Sequence, residues 1–441
     1  MFNYPLKPVS KSISELKPYG RNARTHSRKQ VRQIAESIKR FGFNNPVLIS
    51  EANVIIAGHG RVEAAKLLGW KEVPTLVLAH LSAADVQAYV LSDNKLALNA
   101  GWDQELLAIE LQALIDLDFD VTLTGFSVAE VDVTLDAAQE SRVVGPPKSA
   151  DVVPKRTGPV VTQLGNTWIL GRHKLSCGDA RDPTTFAALM GEDVADLIFT
   201  DPPYNVPIDG HVTGMGRVRH REFAMAAGEM SPEEFTSFLQ ATLENSAAHA
   251  KDGAIAFVCM DWRHVGELLA ASKGVFTELK NICVWNKNNG GMGTFYRSKH
   301  EFVLVFKKGT APHLNNFGLG DGGRYRTNVW DYPGVSSIGA GRARALEMHP
   351  TVKPVALVAD ALRDCSKRAE LVLDPFAGSG TTLIAAESCG RVARVLELDP
   401  AYCDTIVQRY SAFTGKPVTL LSTGERFEEI QERLAHAGDP A

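Results

Sequence analysis

The chain has few cysteines, and their spacing matches no metal-binding or redox pattern. Six cysteines stand at positions 177, 259, 283, 365, 389 and 403, with no C-x-x-C spacing and no paired histidines beside them. Structural zinc sites need closely spaced ligands of these types, and disulfide frameworks are typical of secreted chains. We therefore expect no metal site and a reducing, cytoplasmic environment.

Long apolar runs are also missing. The amino terminus is charged and mixed, without the apolar core of a signal peptide, and no segment approaches the roughly 20 apolar residues of a membrane span. The net charge is only −4 over 441 residues, which argues against a protein that coats a polyanion through its overall charge. A chain of this length can form two or three domains, with no membrane partner expected.

Charge is instead divided locally within the first 140 residues. Residues 1–80 contain 13 Lys and Arg against 5 Asp and Glu, whereas residues 81–140 contain one basic residue against 12 acidic ones. The basic part can lie on a phosphate backbone favourably and the acidic part cannot. Helical periodicity at Leu107, Leu111, Leu114 and Ile115 favours a packing or self-association element, or else a solvated helix face.

A glycine-rich turn at residues 374–380 (DPFAGSG) lacks two familiar phosphate-binding patterns. It has neither the Gly-Lys-Ser/Thr of a P-loop nor the G-x-G-x-x-G of a dinucleotide site. Gly378 and Gly380 nevertheless let a ligand approach the backbone at a helix start. Glu397, at the end of the following strand, is placed to accept hydrogen bonds from ribose hydroxyls.

The elements around this turn predict a β-α-β unit of a doubly wound α/β sheet. Such sheets bind ligands beyond the carboxyl ends of their strands. The predicted order is a strand over 370–374, a helix from 381 to about 388 and a strand over 391–398.

A second turn, Asp201-Pro202-Pro203-Tyr204, follows an apolar strand over Ala195–Thr200. An aromatic amine is a weak nucleophile because its lone pair is delocalised into the ring. The Asp201 carboxylate and the Pro202 carbonyl can accept its two N–H groups and favour a tetrahedral nitrogen, while Tyr204 offers a stacking face. No cysteine follows a proline, so the Pro-Cys nucleophile of cytosine-C5 methylases is absent. The turn predicts methylation of an exocyclic amine.

In combination and order, these motifs resemble the bacterial amino-methylating DNA methyltransferases of the β arrangement, over residues 166–424. The resemblance implies a permuted, Rossmann-like fold that uses S-adenosylmethionine. Asp at the head of the catalytic turn favours adenine N6, with cytosine N4 as the alternative. Val352 replaces the family's commoner glutamine. The implied catalytic residues are Asp201, Pro202, Pro203 and Tyr204; the implied cofactor-binding residues are Asp179, Ala180, His349, Thr351, Lys353, Asp374, Phe376, Ala377, Gly378, Ser379, Gly380, Thr381, Glu397 and Leu398.

Related signatures occur in protein-glutamine and RNA methylases, but local basic charge favours double-stranded DNA, with the target base flipped out of the stack. The resemblance places the target-recognition region over residues 282–350, an irregular stretch with an excess of basic residues. The loop that carries Arg217, Arg219, His220 and Arg221 also favours a nucleic-acid substrate. The basic residues of the region are Lys287, Arg297, Lys299, Lys307, Lys308, Arg324, Arg326, Arg342 and Arg344, against Glu301, Asp321, Asp331 and Glu347.

The first 140 residues predict a separate domain, α/β to about residue 80 and helical from 81 to 140. Its first part consists of a helix over 29–41 and strands over 45–50, 54–57 and 73–78. A Gly-His-Gly-Arg turn at 58–61 opens another helix. Such a turn is a phosphate-binding nest. Residues 141–165 are rich in turn formers and predict a linker. Residues 425–441 are predicted to be a carboxyl-terminal tail.

This segment resembles the amino-terminal domain of ParB-type partition proteins, which also occurs fused to methylases. The resemblance implies CTP or ATP with magnesium near Gly58, Gly60, Arg61, Asp93 and Asn94. Gly-His-Gly-Arg in place of the usual Gly-Glu-Arg-Arg removes one basic residue. The sequence thus predicts a bacterial or phage-encoded, nucleoid-associated DNA adenine methylase, alone or with a restriction nuclease, able to form a homodimer. A partition-type regulator with a secondary methylase half is the alternative.

Overall fold

The chain forms two compact units, Met1–Ala138 and Gln139–Ala441, in a computed structural model. The structure describes residues 7–142, 150–206, 226, 228–288, 290, 295–317, 325–334 and 352–437. Within these ranges, no helix combines the length and the apolar character needed to cross a bilayer.

The first unit begins with a small mixed sheet in the order β1-β4-β2-β3, in which only β2 and β4 are parallel. Ser27 caps α1 by accepting the Gln30 N–H, and Gly58, at φ +104°, precedes α2. The predicted strand–turn–helix around residue 58 is therefore confirmed. The elements are β1 (Val9–Ser12), α1 (Arg28–Phe41), β2 (Val47–Ile49), β3 (Ile55–Ala57), α2 (His59–Leu67) and β4 (Glu72–Val77).

Three helices complete the unit: α3 (Ala83–Asn99), α4 (Gln104–Asp116) and α5 (Val128–Arg142). Ser82 and Asp85 form a capping box on α3, and Asp103 caps α4. Leu107 and Leu111, on the predicted apolar face of α4, pack against α5 in a small core of their own. Helices α4 and α5 of the acidic segment thus pack together, whereas Val90 of α3 packs against Ile56 of β3.

In the second unit, ten strands among the described residues form one sheet in the order β11-β9-β10-β8-β7-β12-β13-β6-β5-β14. Its centre, β8-β7-β12-β13-β6, is parallel, and antiparallel strands extend both sides. The strands are β5 (Thr167–Leu170), β6 (His173–Cys177), β7 (Ala195–Thr200), β8 (Ala250–Met260), β9 (Glu278–Asn286), β10 (His300–Lys307), β11 (Val329–Asp331), β12 (Leu371–Asp374), β13 (Val392–Glu397) and β14 (Val418–Leu420).

Helices cover both faces of this sheet, so its central strands are apolar on both sides. Leu197 and Phe199 of β7 join one core, and Ile198 between them joins the other. The predicted doubly wound α/β class is confirmed. The helices are α6 (Pro183–Met190), α7 (Pro232–Ala248), α8 (Val265–Ala271), α9 (Val355–Cys365), α10 (Thr381–Ser388), α11 (Pro400–Thr414) and α12 (Phe427–Ala437).

The interpretation of residues 282–350 as irregular was wrong for its first part. Residues 282–286 and 300–307 belong to β9 and β10, which pair antiparallel with each other and extend the central sheet from β8. Their alternating apolar residues pack into the two cores, so these strands belong to the scaffold. The sequence suggested a loop because glycines and basic residues separate the two strands and follow the second.

The second half of the predicted linker is fixed to the second unit. Backbone atoms of residues 150–162 bind side chains that project from α11. Asp404 accepts the Val161 and Thr162 N–H groups at 2.8 and 3.0 Å, and the Arg409 guanidinium donates to the Ala150 carbonyl at 2.8 Å. Asp151 in turn caps α9 by accepting the Val355 N–H at 2.8 Å. We call residues 150–162 the strap.

Candidate active site

Four parallel strands bring the predicted site residues to one edge of the sheet. In register, Leu373 of β12 pairs with Ile198 of β7, Asp374 with Val395 of β13, and Glu397 with Cys177 of β6. The carboxyl ends of these strands are followed or closed by Asp201, Asp374, Glu397 and Asp179. Motifs that lie up to about 220 residues apart in the sequence thus meet at neighbouring strand ends.

The turn after β7 holds the Asp201 carboxylate between two donors. The Tyr204 hydroxyl donates to Asp201 Oδ1 at 2.6 Å, and Lys353 Nζ donates to Asp201 Oδ2 at 2.6 Å. Pro202 is buried behind the turn, and the two prolines end the strand because they cannot continue sheet pairing. The Tyr204 hydroxyl therefore has a bonding role that the sequence did not predict.

Lys353 is the centre of a buried charge cluster. Its ammonium also lies 2.9 Å from Glu301 Oε2 and 3.1 Å from the Tyr204 hydroxyl, and Lys287 Nζ binds the other oxygen of Glu301. Burial raises the pKa of Asp201 against the attraction of Lys353. Burial acts on Glu301 too, but Lys353 and Lys287 lower its pKa to about 2. The two carboxylates therefore differ in their readiness to bind a proton.

The loop from Asp374 to Thr381 connects β12 to α10 as a tight turn. Gly378 and Gly380 have φ of +54° and +84°, a region that disfavours side chains. The Gly378 N–H donates to Glu397 Oε2 at 2.8 Å, and the Asp399 N–H donates to Glu397 Oε1 at 2.9 Å. Burial raises the pKa of Glu397 to about 7. The loop and the acidic strand end are thus one hydrogen-bonded unit.

Arg409 of α11 supports this loop from behind. Its guanidinium is buried and donates to the Ser379 carbonyl at 2.9 Å, with Thr381 Oγ1 at 3.3 Å. The same guanidinium binds Ala150 of the strap, as described above. Burial lowers the pKa of Arg409 to about 10, which measures how costly this charge is in the interior.

Some of the remaining predicted cofactor residues lie within the described residues and others lie outside them. Asp179 lies two residues beyond β6, beside the buried Ala180, and the Arg181 guanidinium donates to its Oδ1 at 3.1 Å and to its Oδ2 at 2.7 Å. Leu398 presents its carbonyl towards Cys177 Sγ at 3.6 Å. His349 and Thr351 lie outside the described residues, so the structure tests neither of them.

This edge of the sheet fits a nucleoside-bearing cofactor. The Glu397 oxygens accept backbone N–H groups, and a carboxylate has about four acceptor sites, so capacity remains for a hydroxyl group. The positive φ angles of the two loop glycines bring backbone close to the strand ends without side chains. Asp179, Glu397, Asp374 and Asp201 stand at the successive ends of β6, β13, β12 and β7.

Sequence reasoning missed three members of the site: Glu301, Lys287 and Arg409. Glu301 and Lys287 entered the sequence analysis only in the charge balance of the target-recognition region. A signal for Glu301 was present, since it is a charged residue that opens the apolar run Phe302–Phe306 of β10. Nothing in the local sequence marks Arg409, because its partners are backbone atoms at positions 150 and 379.

The basic residues of the predicted target-recognition region that the structure describes do not form one surface. Arg326 is engaged by Asp364 at 2.9 Å, and Lys307 and Lys308 stand at the end of β10 that is remote from Asp201. They were counted as candidate phosphate contacts, and their positions argue against that role. The other predicted basic residues that lie outside the described residues are Arg217, Arg219, His220, Arg221, Arg324, Arg342 and Arg344.

A separate cavity of about 240 Å³ lies in the first unit beside the Gly58–Arg61 turn. The Arg61 guanidinium donates to the Asn45 carbonyl at 2.6 Å, and burial lowers its pKa against the attraction of Asp93. The Tyr19 N–H donates to His59 Nε2 at 3.2 Å. All five predicted nucleotide-binding residues line this cavity: Gly58, Gly60, Arg61, Asp93 and Asn94.

Comparisons with known protein families match both units. The family described as DNA methylase matches residues 195–408, the ParB N-terminal domain matches residues 9–94, and the ParB-methyltransferase HTH domain matches residues 105–164. The last of these covers α4, α5 and the strap, which the sequence analysis had divided between a helical segment and a linker.

Individual relatives agree with the family matches. The ParB-like nuclease domain-containing protein YnaK of Escherichia coli (strain K12) is 57% identical over 77 residues, which cover 18% of this chain and 88% of YnaK. The type II methyltransferase M.HinfI of Haemophilus influenzae is 26% identical over 251 residues, 52% of this chain and 66% of M.HinfI. Among solved structures, the cytosine-N4-specific PvuII DNA methyltransferase superposes with a TM-score of 0.43 at 16% identity, over 58% of this chain and 98% of that one. The chain therefore belongs to the ParB-like proteins through its amino-terminal domain, which is fused to a DNA methyltransferase of the N6/N4 family.

Proposed function

We propose that this chain transfers a methyl group from S-adenosylmethionine to the exocyclic N6 amine of an adenine flipped out of duplex DNA. One observation carries the proposal. The Asp201–Tyr204 turn and the Asp374–Thr381 loop close two strands that are hydrogen-bonded to each other, so the amine pocket and the cofactor loop share one edge. Alignment of two reactants in such a cleft can supply roughly 7–11 kcal/mol of a reaction barrier.

The cofactor half uses the chain's own backbone and carboxylates. Glu397 would accept the ribose hydroxyls, Asp179 would face the adenine ring, and the Phe376–Thr381 loop would line the methionine side. S-adenosylmethionine would supply a methyl group bound to a sulfonium sulfur. As the nitrogen–carbon bond forms, the C–S bond would break and the sulfur would keep its electron pair.

The catalytic half makes the amine nucleophilic and takes its proton. The Asp201 carboxylate and the Pro202 carbonyl would accept the two N–H groups, which directs the nitrogen lone pair away from the ring. After transfer the nitrogen carries a positive charge and loses one proton, which Asp201 can bind because burial raises its pKa. The Tyr204 ring would stack on the base.

Adenine is proposed over cytosine because Asp, not Ser, heads the catalytic turn. The experiment incubates the full chain with tritiated cofactor and unmethylated genomic DNA, digests the DNA to nucleosides and separates them by mass spectrometry. The proposal expects N6-methyladenine. N4-methylcytosine would establish the alternative base, and label in protein or RNA alone would refute DNA as the substrate.

A second activity is proposed for the amino-terminal domain: binding of CTP or ATP with magnesium. The cavity beside Gly58 supports it, because the amino-terminal end of α2 and the Arg61 guanidinium border the same space. Titration calorimetry of the full chain with each nucleotide tests the proposal, with Arg61→Ala as the site variant. No heat from either nucleotide with the unsubstituted chain would refute it.

The proposed partner is double-stranded DNA in a bacterial cytoplasm, and a homodimer is proposed as the assembly. Sedimentation velocity of the full chain at several concentrations tests the assembly. A single species with the mass of one chain at every concentration would refute the dimer.

A further inference from the structure

The charge cluster around Lys353 contains one group more than amine binding requires. Asp201 and Lys353 would already form a neutral pair, yet Glu301 is buried beside them, with 7% of its surface exposed. Burying a carboxylate costs free energy unless a cation and hydrogen bonds compensate it. Glu301 has both, since Lys353 binds one of its oxygens and Lys287 the other. Its position calls for an explanation beyond packing.

The geometry points to competition for one ammonium. Lys353 Nζ lies 2.6 Å from Asp201 Oδ2 and 2.9 Å from Glu301 Oε2, so the ammonium is shared between the two carboxylates. An incoming amine must share the Asp201 carboxylate with two other donors, because Tyr204 and Lys353 each already bind one of its oxygens. If Asp201 were the only anion near Lys353, then the Lys353 ammonium would be buried without a partner once Asp201 released it.

We propose that Glu301 is a positioning residue of the methyl-transfer site: it retains the Lys353 ammonium while Asp201 exchanges that contact for an N–H of the target amine. This inference rests on the proposed function. No covalent bond to Glu301 forms or breaks. The Lys353 ammonium only moves from the Asp201 oxygen towards the neighbouring Glu301 oxygen.

The unequal proton affinities of the two carboxylates support this division of roles. The pKa of Glu301 is lowered to about 2, so it remains a fixed anion, whereas burial raises the pKa of Asp201. Paired carboxylates whose environments separate their pKa values commonly divide into a charged stabiliser and a proton-binding group. Lys287 lies on the more exposed side of Glu301 and holds it in place.

The first test is Glu301→Gln in the full chain, compared with Glu278→Gln. Glu278 also belongs to an ion pair of this antiparallel hairpin, with Lys280, but it is exposed and lies at the opposite end of β9. With Glu301→Gln we expect kcat to fall about 10- to 100-fold, the range for one lost charge-assisted contact. KM for DNA and the cofactor Kd should change less than about twofold. Glu278→Gln should match the unsubstituted chain.

A double-mutant cycle tests whether Glu301 acts through Lys353. Once Lys353→Met has removed the ammonium, adding Glu301→Gln should cost little more, so the two effects should be clearly non-additive. Additive losses, or a Glu301→Gln variant with unchanged kcat, would overturn the inference. A loss confined to cofactor affinity would overturn it as well.

Lys287→Met provides a test that does not require a buried charge to be removed, since 28% of the Lys287 side chain is exposed. We expect KM for DNA and its salt dependence to be unchanged, because Lys287 serves Glu301. A raised KM with a weaker salt dependence would identify Lys287 as a phosphate contact and contradict its place in the cluster. If the unsubstituted chain methylates no DNA, the proposed function fails first, and these comparisons do not arise.

Discussion

Replacing Arg409 by methionine should separate cofactor affinity from stability. The guanidinium donates to the backbone carbonyls of Ser379 and Ala150 at 2.9 and 2.8 Å, and each contact to a charged donor is worth about 1.5–3 kcal/mol. Two such contacts amount to about 3–6 kcal/mol. Burial lowers the pKa of the guanidinium to about 10, and a shift of that size corresponds to roughly 3 kcal/mol of cost for the buried charge. Methionine removes that cost together with the contacts.

The two contributions largely cancel in the free energy of unfolding, and we expect a net loss of about 0–3 kcal/mol. Cofactor affinity has no such compensation, because the Ser379 carbonyl loses the donor that orients the loop. We expect the Kd for S-adenosylmethionine to rise at least about 10-fold, as for one lost charge-assisted hydrogen bond. Arg409→Lys should behave similarly, because a single ammonium nitrogen cannot replace the two guanidinium nitrogens that bind the Ser379 and Ala150 carbonyls.

The assay is calorimetric titration of the full chain with S-adenosylmethionine, alongside urea unfolding. Arg391→Met is the matched control: Arg391 is also fully buried and binds the Cys389 and Ser366 carbonyls, but it precedes β13, at the sheet edge away from Glu397. It should lose stability and keep its cofactor affinity. An unchanged Kd in a folded Arg409→Met variant, or equal losses of affinity in both variants, would refute the reasoning.

The site supports four further predictions. Asp201→Ala should lower methyl transfer more than about 100-fold while cofactor binding, measured by calorimetry, is retained; loss of both would indicate misfolding. Tyr204→Phe should lose about 10-fold in kcat because its hydroxyl binds Asp201 at 2.6 Å, and Tyr204→Ala should lose more because the stacking face goes too; equal losses would refute stacking. Cofactor affinity should rise between pH 6 and 8 as Glu397, whose pKa is about 7, ionises and becomes a better acceptor, and Glu397→Gln should abolish this dependence. The same raised pKa implies the opposite trend for stability: the folded state binds the proton more tightly than the unfolded chain, so Glu397 should make unfolding easier as pH rises from about 4.5 to 7.

The sequence by itself determined the local chemistry of the site. Apolar runs that end in proline or glycine turns predicted β7, β12 and β13 closely, because strand length and turn chemistry depend on neighbouring residues. The catalytic turn, the cofactor loop and the Gly58–Arg61 turn were recognisable for the same reason. The resemblance to a known family then supplied the order of the motifs. The parallel sheet explains why the motifs meet, because each of them follows the carboxyl end of a strand.

Only the tertiary structure decided which distant side chains share a charge. Lys353 meets Asp201 across 152 positions of sequence, and Glu301 reaches Tyr204 across 97. Such partners depend on strand register and helix packing, which local patterns do not encode. A charged residue in a sequence is exposed by default, and burial becomes visible only when the surrounding cores are assembled. Lys287 and Glu301 therefore counted as surface charges until the sheet placed them beside Asp201.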